Sequence, residues 1–271
     1  MQNTTPDADL GRVEASSEPK RMNDLILETR GLTKEFKGFV AVKDVNLKVR
    51  RGSIHALIGP NGAGKTTVFN LLTRFLPVTA GSILFRGEDI TAERPAQISH
   101  RGIVRSFQIS STFPHMTVLE NVRVALQRKL PTSFHFWRSE RSLDALNGKA
   151  RELLAEVELA DCADLTALEL PYGRKRALEL ATTLALEPEL MLLDEPTQGM
   201  AHEDVSRVVA LIKTVAANRT VLMVEHNLGV VEDLCDTITV LARGAVLAEG
   251  TYAEVSRNPE VLEAYVGTAD E

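Results

Sequence analysis

Apolar and polar residues alternate along residues 25–29 and again along 39–49, with Gly38 between them. That pattern predicts two strands of an antiparallel piece. Residues 53–58 form a short apolar run that stops abruptly at a glycine-rich stretch. A helical spacing follows through Val68, Leu71, Leu72 and Phe75, so the order is strand, loop, helix. A brief strand is expected at 82–85. From Thr117 to about 186 the apolar spacing turns to three and four, opened by Thr117 with Glu120 three residues on, the pattern of a capping box. Beyond it strands and helices alternate: strand 190–193, helix 203–215, strand 220–224, helix 228–234, strand 237–241. Such alternation predicts a parallel sheet with helices on both faces. The helical middle interrupts it and reads as a second, all-α subdomain. No internal repeat is visible.

Composition narrows the class. The chain has 271 residues, 44% hydrophobic and 25% charged, with 2 cysteines and a formal net charge of −6. Its mean hydropathy is −0.05. This is a globular composition able to build a full core. Uncharged stretches such as 106–119 carry polar residues and fall short of a membrane span. Residues 1–24 are polar, lack the apolar segment of a secretory signal and read as a flexible tail. Cys162 and Cys235 have no metal-ligand spacing and read as thiols in a reducing cytosol. Mixed charges of net negative sign argue against a nucleic-acid surface. Residues 127–149 place Phe134, His135, Phe136 and Trp137 among Arg128, Lys129, Arg138 and Arg141. Two readings stand: aromatics packing a helical hairpin on its own subdomain, or a patch facing a partner or a membrane surface.

The chemistry concentrates at strand ends. Gly59, Pro60, Asn61, Gly62, Ala63, Gly64, Lys65, Thr66 and Thr67 fit the phosphate-binding pattern G-x-x-x-x-G-K-[ST]. Glycines let successive backbone N–H groups curl round phosphate oxygens, and the following helix presents its positive end. Lys65 supplies a cation for the β- and γ-phosphates, and the Thr66 hydroxyl suits Mg²⁺. The run 191–196 ends in Asp194, Glu195 and Pro196. An acidic pair after a strand is commonly a solvated turn. Downstream of a phosphate loop, Asp194 suits the metal and Glu195 can act as base toward the attacking water. His226 closes the strand 220–224. Alone it would be a polar cap; in an ATPase sheet that position faces the γ-phosphate. Gln108 carries no signal by itself.

In this order, Gly59 to Thr67, Gln108, the segment 170–176 (LPYGRKR), Asp194-Glu195-Pro196 and His226 resemble the nucleotide-binding subunit of an ATP-binding-cassette (ABC) transporter, from about Leu25 onward. The resemblance implies an α/β fold: a P-loop ATPase core of mostly parallel sheet with flanking helices, an antiparallel β subdomain and an inserted α-helical subdomain. Residues 25–107 and 188–267 would form the core with the β subdomain, and 108–187 the helical part, in a single domain 25–267. It implies ATP and Mg²⁺ as cofactors and a head-to-tail dimer with a second ABC ATPase subunit, identical or different. On that reading Phe36 stacks on adenine, Gln108 reaches the metal and the transmembrane partner, and His226 contacts the γ-phosphate. Tyr172, Gly173 and Arg174 of one subunit would close over the partner's ATP. Transmembrane permeases and, indirectly, a periplasmic or extracellular solute-binding protein are the further partners, at the cytoplasmic face of a membrane. Independently of the family, a glycine at a helix start is a sensible donor to an arriving anion.

Residues 100–108 and 113–121, the signature tyrosine, the 224–227 ending and the tail 258–267 look like the ATPases of importers for branched-chain and other hydrophobic amino acids. No regulatory module is expected after Gly267. Two departures stand out. Pro171 replaces the signature serine and Arg174 its glutamine, and Ala201 occupies the place of the usual aspartate after the 194–200 segment. Arg174 could act as a fixed cation toward phosphate or a neighbouring carboxylate, or point to solvent. The alternatives to an importer subunit are an exporter ATPase of the lipopolysaccharide kind and a soluble ABC ATPase outside transport. The solute is not written in this chain.

Overall fold

The computed structural model describes residues 24–106, 112–128 and 144–266. Gln108, most of the aromatic and basic segment, and all of the N-terminal tail except Asp24 lie outside the described residues. Strand β1 (Leu25–Phe36) turns at Lys37 and Gly38, both with positive φ (48° and 93°), into β2 (Phe39–Val45), pairing Phe36 with Phe39. Two residues of that conformation make the hairpin turn that matches strand twist. The expected single strand 39–49 is corrected: it breaks after Val45 and resumes as β3 (Lys48–Arg50), which pairs with the other end of β1. Side chains hold the break. Asn46 accepts from the Gly31 amide at 2.9 Å, while the buried Thr29 hydroxyl donates to the Val45 carbonyl (2.8 Å) and accepts from the Leu47 amide (2.9 Å). Strand β5 (Ala80–Phe85) also pairs antiparallel with β1, and β6 (Glu88–Asp89) follows at its edge. These strands are the antiparallel β subdomain.

The central sheet holds β4 (Ile54–Ile58), β7 (Ile103–Ser106), β8 (Leu190–Asp194), β9 (Thr220–Val224), β10 (Thr237–Ala242) and β11 (Ala245–Gly250). Its order is β11-β10-β4-β9-β8-β7, and only the β10–β11 pair is antiparallel. Both faces are covered, so the inner strands are mostly apolar. Leu57, Leu190, Leu192, Leu222 and Val224 pack with the β subdomain and with Phe69, Leu71 and Leu72 of α1 (Lys65–Leu72). Ala56, Ile58, Met191, Leu193, Val221 and Met223 pack on the other face, against α6 (His202–Ala216) and α7 (Leu228–Leu234) among others. The short elements α2 (Pro95–His100), β7, β11, α8 (Tyr252–Val255) and α9 (Pro259–Val266) were not expected from the pattern. Helix α1 stops earlier than expected. The Thr73 hydroxyl donates back to the Phe69 carbonyl (2.8 Å), Arg74 takes φ 61°, and Phe75 is left exposed.

The helical middle is interrupted rather than continuous. It contains α3 (Val118–Gln127), α4 (Asn147–Glu156) and α5 (Tyr172–Leu184), with 3-10 turns at Ala160–Cys162 and Ala167–Glu169. The Thr117 box forms: its hydroxyl accepts from the Glu120 amide (3.1 Å) and the Glu120 carboxylate accepts from the Thr117 amide (2.7 Å). Among the described residues no helix is long and apolar enough to cross a membrane.

One buried group makes this sheet sensitive to acid. His55 on β4 hydrogen-bonds Thr239 on β10 at 2.8 Å, and that hydroxyl donates onward to Glu249 on β11 (2.8 Å). The threonine proton is thereby committed, which assigns the Nε2–H donor to His55. Burial pushes the His55 pKa from 6.5 down to about 4. A folded-state pKa below the unfolded one means the unfolded chain binds the proton first. Stability is then whole above pH 6.5 and falls by about 3 kcal/mol between pH 6.5 and 4. In urea titrations at pH 7 and pH 4.5, His55→Asn is expected to lose much of the midpoint drop seen in the wild type. An unchanged drop would place the acid sensitivity elsewhere.

Candidate functional site

The carboxyl ends of β4, β8 and β9 meet at one edge of the central sheet. Between β4 and α1 the chain makes a turn that only glycine fits at two points. Gly59 has φ 146°, and a side chain there would start 2.1 Å from the Leu241 carbonyl oxygen at the end of β10; Gly64 has φ 100°, with the Ala41 carbonyl at 2.8 Å. The turn is thus wedged between the two sheets, and the Gly244 amide bonds the Ala63 carbonyl at 3.1 Å from the β10–β11 turn. Lys65 opens α1. Its ammonium donates to the Gly59 and Pro60 carbonyls at 2.6 and 2.9 Å, and little of the residue reaches solvent. Burial pulls its pKa down, while the Glu195 and Asp194 carboxylates oppose that shift. The loop and both acidic residues therefore share one electrostatic neighbourhood. Asn61, Gly62 and Thr66 are exposed, and Thr67 is half-buried.

Glu195 follows β8 with φ 48°, its amide bonded to the Val224 carbonyl of β9 at 2.9 Å. This left-handed residue turns the chain so that its carboxylate meets His226, Nε2 to Oε1 at 2.6 Å. His226 is 41% exposed against 19% for Glu195, so the pair faces open space at the sheet edge. Behind it lies a residue that sequence reasoning passed over. The buried Glu225 accepts from the Thr197 hydroxyl (2.7 Å) and from the Asn227 amide (3.2 Å), tying the loop after Glu195 to the histidine loop. Its place in the run 224–227 was the only available signal. Asp194 is held by a second such residue, Arg105 at the end of β7, whose guanidinium also reaches the Asn70 side chain of α1 at 2.7 Å.

One side-chain hydroxyl (Thr66), one carboxylate (Asp194) and the oxygens of a bound triphosphate form the donor set that Mg²⁺ takes in nucleotide sites. Among the described residues no cluster of three or more His, Cys, Asp or Glu could hold a metal unaided, so a cation here would depend on the phosphates. Phe36 sits at the tip of the β1–β2 hairpin, 40% exposed, with the Lys34 ammonium 4.9 Å from its ring centre. Strand β2 of that hairpin abuts the phosphate loop through Ala41. Phe39, opposite Phe36, is more exposed still.

The signature residues lie elsewhere. Pro171 caps α5, the Tyr172 hydroxyl donates to the Gln198 carbonyl (3.0 Å), and Gly173 lies against the Asp204 carboxylate of α6. Of the alternatives open to Arg174, the structure shows the neighbouring carboxylate, with the side chain still partly exposed. Its guanidinium turns back onto Asp161 (2.8 Å) and contacts the Cys162 sulfur in the Ala160–Cys162 turn. Ala201 precedes α6 and offers no side-chain cap, where an aspartate would have accepted from the helix.

A glycine-wedged loop, a buried lysine and a glutamate–histidine pair on a mostly parallel sheet define a P-loop nucleoside triphosphatase. Residues 42–198 match the family model described as ABC transporter, and 245–271 match one described as branched-chain amino acid ATP-binding cassette transporter. The chain is 42% identical over 258 residues to the high-affinity branched-chain amino acid transport ATP-binding protein BraF of Pseudomonas aeruginosa, covering 92% of this chain and 100% of that protein. It is 38% identical over 260 residues to LivG of Escherichia coli K12, a protein of the same description, again covering 92% and 100%. A nucleotide-free ATP-binding cassette from an ABC transporter superposes with a TM-score of 0.79 at 31% identity, covering 89% of this chain and 98% of that one. The ADP conformation of the cassette MJ1267 superposes at 0.78, with 31% identity, 90% and 99% covered. The chain belongs to the ABC transporter family, as an ATP-binding and ATP-hydrolysing cassette.

Replacing Lys65 by alanine removes a buried cation at the phosphate loop. Loss of a single electrostatic stabiliser of this kind costs roughly 3–4 kcal/mol at the transition state. Turnover in Lys65→Ala is expected to fall by more than about a hundredfold, read as phosphate release by the purified chain. Arg174→Ala, by contrast, is expected to leave ATP turnover of the assembled transporter at the wild-type level and to lower only the melting temperature. A fall in turnover at unchanged melting temperature would contradict the Asp161 contact.

Proposed function

We propose that this chain is the energy-coupling subunit of a multi-subunit importer for branched-chain or other hydrophobic amino acids. The observation that carries its chemistry is the Glu195–His226 pair, held at the strand ends beside the buried Lys65. The 42% identity to a branched-chain amino acid transport protein along its whole length supports the solute class over an exporter or a non-transport ATPase.

In this reading the backbone N–H groups of residues 61–64 and the Lys65 ammonium, released from its loop carbonyls, bind the β- and γ-phosphates. Thr66 and Asp194 would hold Mg²⁺, which neutralises charge developing on the phosphate oxygens. Gln108 joins that metal site in the same proposal. Glu195 accepts a proton from the attacking water, and His226 holds the Glu195 carboxylate in place while facing the γ-phosphate. Phe36 offers its exposed ring to adenine. Two cassettes would pair head to tail, each presenting Tyr172 and the Gly173 amide at the start of α5 to the other's ATP. The permeases would meet the cassette at the cytoplasmic face of the membrane. A cavity of about 570 Å³ with the exposed Phe75 and Phe113 on its wall, between α2, β7 and the helices α3 and α5, is the described surface that suits a permease segment. Nucleic acid has no part in this function.

Glu195→Gln preserves shape and removes the base. It is expected to bind ATP with near wild-type affinity, to hydrolyse it at least about a hundredfold more slowly, and to accumulate an ATP-bound dimer on size-exclusion chromatography. Wild-type turnover in this variant would reduce Glu195 to a structural residue. Reconstitution with the cognate permeases and uptake of labelled leucine tests the solute class.

A further inference from the structure

The carboxylate expected to serve the metal is already occupied by a cation of the chain itself. Arg105 donates to Asp194 from the neighbouring strand, with side chains only 11% and 14% exposed. The same guanidinium bonds Asn70 at 2.7 Å and lies 5.7 Å from the ring centre of Phe69. A guanidinium and a divalent cation repel each other, and each satisfies the same carboxylate lone pairs. Arg105 also has somewhere else to go. It lines the cavity of about 570 Å³ together with Glu179 of α5. One Glu179 oxygen accepts from Arg176 at 2.7 Å; the other is buried with no hydrogen-bond partner among the described residues. The Arg105 Nε is buried and unpartnered in the same way. Buried polar atoms left without partners are rare and need a reason. Here the unsatisfied acceptor and the unsatisfied donor belong to two residues that line the same cavity.

We propose that Arg105 is a displaceable counter-cation of Asp194: it holds the carboxylate in the metal-free cassette, and its movement toward Glu179 frees Asp194 for the divalent cation. This rests on the reading of Asp194 as the metal residue. Arg105 touches neither nucleotide nor water in this scheme and is a positioning residue. It delays metal capture until nucleotide phosphates add their own charge, and it returns to Asp194 when they leave. Occupied by Arg105, Asp194 neither stands as an unpaired partly buried charge nor captures a cation unaided.

The test is Mn²⁺ binding to the full-length chain with a non-hydrolysable ATP analogue, read by the electron paramagnetic resonance signal of free Mn²⁺. Arg105→Met keeps the stem against Phe69 and removes the competitor, so the Mn²⁺ Kd is expected to tighten by about tenfold, the scale on which one adjacent charge shifts a carboxylate. Arg105→Lys keeps a charge but has no fork to span Asn70 and Asp194, and a smaller tightening is expected. Glu179→Gln takes away the receiving charge and is expected to weaken Mn²⁺ binding. Asp194→Asn separates the two ideas: Mn²⁺ bound by it as tightly as by wild type would remove Asp194 from the metal site. If Asp194→Asn loses Mn²⁺ while Arg105→Met and Arg105→Lys bind it no better than wild type, Arg105 is a static brace and the displacement is wrong. Should the methionine variant fail to fold, the lysine variant decides alone.

Discussion

At Gly59 a single added carbon would lie 2.1 Å from the Leu241 carbonyl oxygen, and at Gly64 another would lie 2.8 Å from that of Ala41. The phosphate loop is therefore pinned by backbone on both sides, by the central sheet through β10 and by the antiparallel sheet through β2. Everything that concerns phosphate follows from this wedge. It sets the path of residues 59–64, fixes where α1 begins, and delivers Lys65 to a place where two loop carbonyls hold its ammonium within reach of the fields of Asp194 and Glu195. A loop free to relax would let the lysine swing into water, where a cation is worth far less. The surrounding register serves the same end: β4 lies between β10 and β9, so the loop leaves the sheet from its middle, beside the strand that leads into Glu225 and His226.

Charge balance is the second level of organisation. Lys65 and Arg105 are drawn toward two carboxylates at the end of β8, and each cation has a secondary hold: Lys65 on the loop carbonyls, Arg105 on Asn70. Neither acid is left exposed to an uncompensated field, which the cost of burying a lone charge requires. The same secondary holds make both cations movable, because leaving Asp194 or the loop carbonyls does not strip them of every partner. Glu225 does not move in this way. It bridges Thr197 and the Asn227 amide from a buried position, so the Glu195 and His226 loops are fixed to one another even though those two side chains face open space.

What the sequence disclosed divides along the range of the interaction responsible. Strand 220–224 and helix 228–234 emerge with the expected bounds because an apolar run and a helical repeat are local properties. The phosphate loop was legible for the same reason: its glycines, lysine and threonine lie within nine consecutive positions. The break of 39–49 was not legible, since it depends on Thr29 and on Asn46 reaching across to Gly31. Strand β7 was invisible because it is four residues long and carries a charged arginine. That arginine finds its acid 89 residues later in the chain. Arg174 belongs to the same group. Its neighbours in sequence left phosphate, a nearby carboxylate and solvent open, and the carboxylate it meets, Asp161, precedes it by 13 residues in a turn with no periodicity to announce it.

The exposure of the site has a direction. Lys65 is buried at one end and His226 is nearly half-exposed at the other, so the lysine is sheltered while the glutamate–histidine side stands open. Tyr172 and Gly173 cannot close it within the same chain, since their contacts run to Gln198 and Asp204, in the segment beyond Glu195. In the proposed head-to-tail dimer, water exclusion, which strengthens every charge interaction used in phosphoryl transfer, would be supplied to the open side by the partner cassette. On that reading an isolated cassette would bind ATP well and still hydrolyse it poorly. In the proposed mechanism binding would draw on the wedged loop and Lys65, whereas hydrolysis would draw on a Glu195 kept dry by the partner cassette. That separation is the physical basis on which a binding event at the open side can control when ATP is spent.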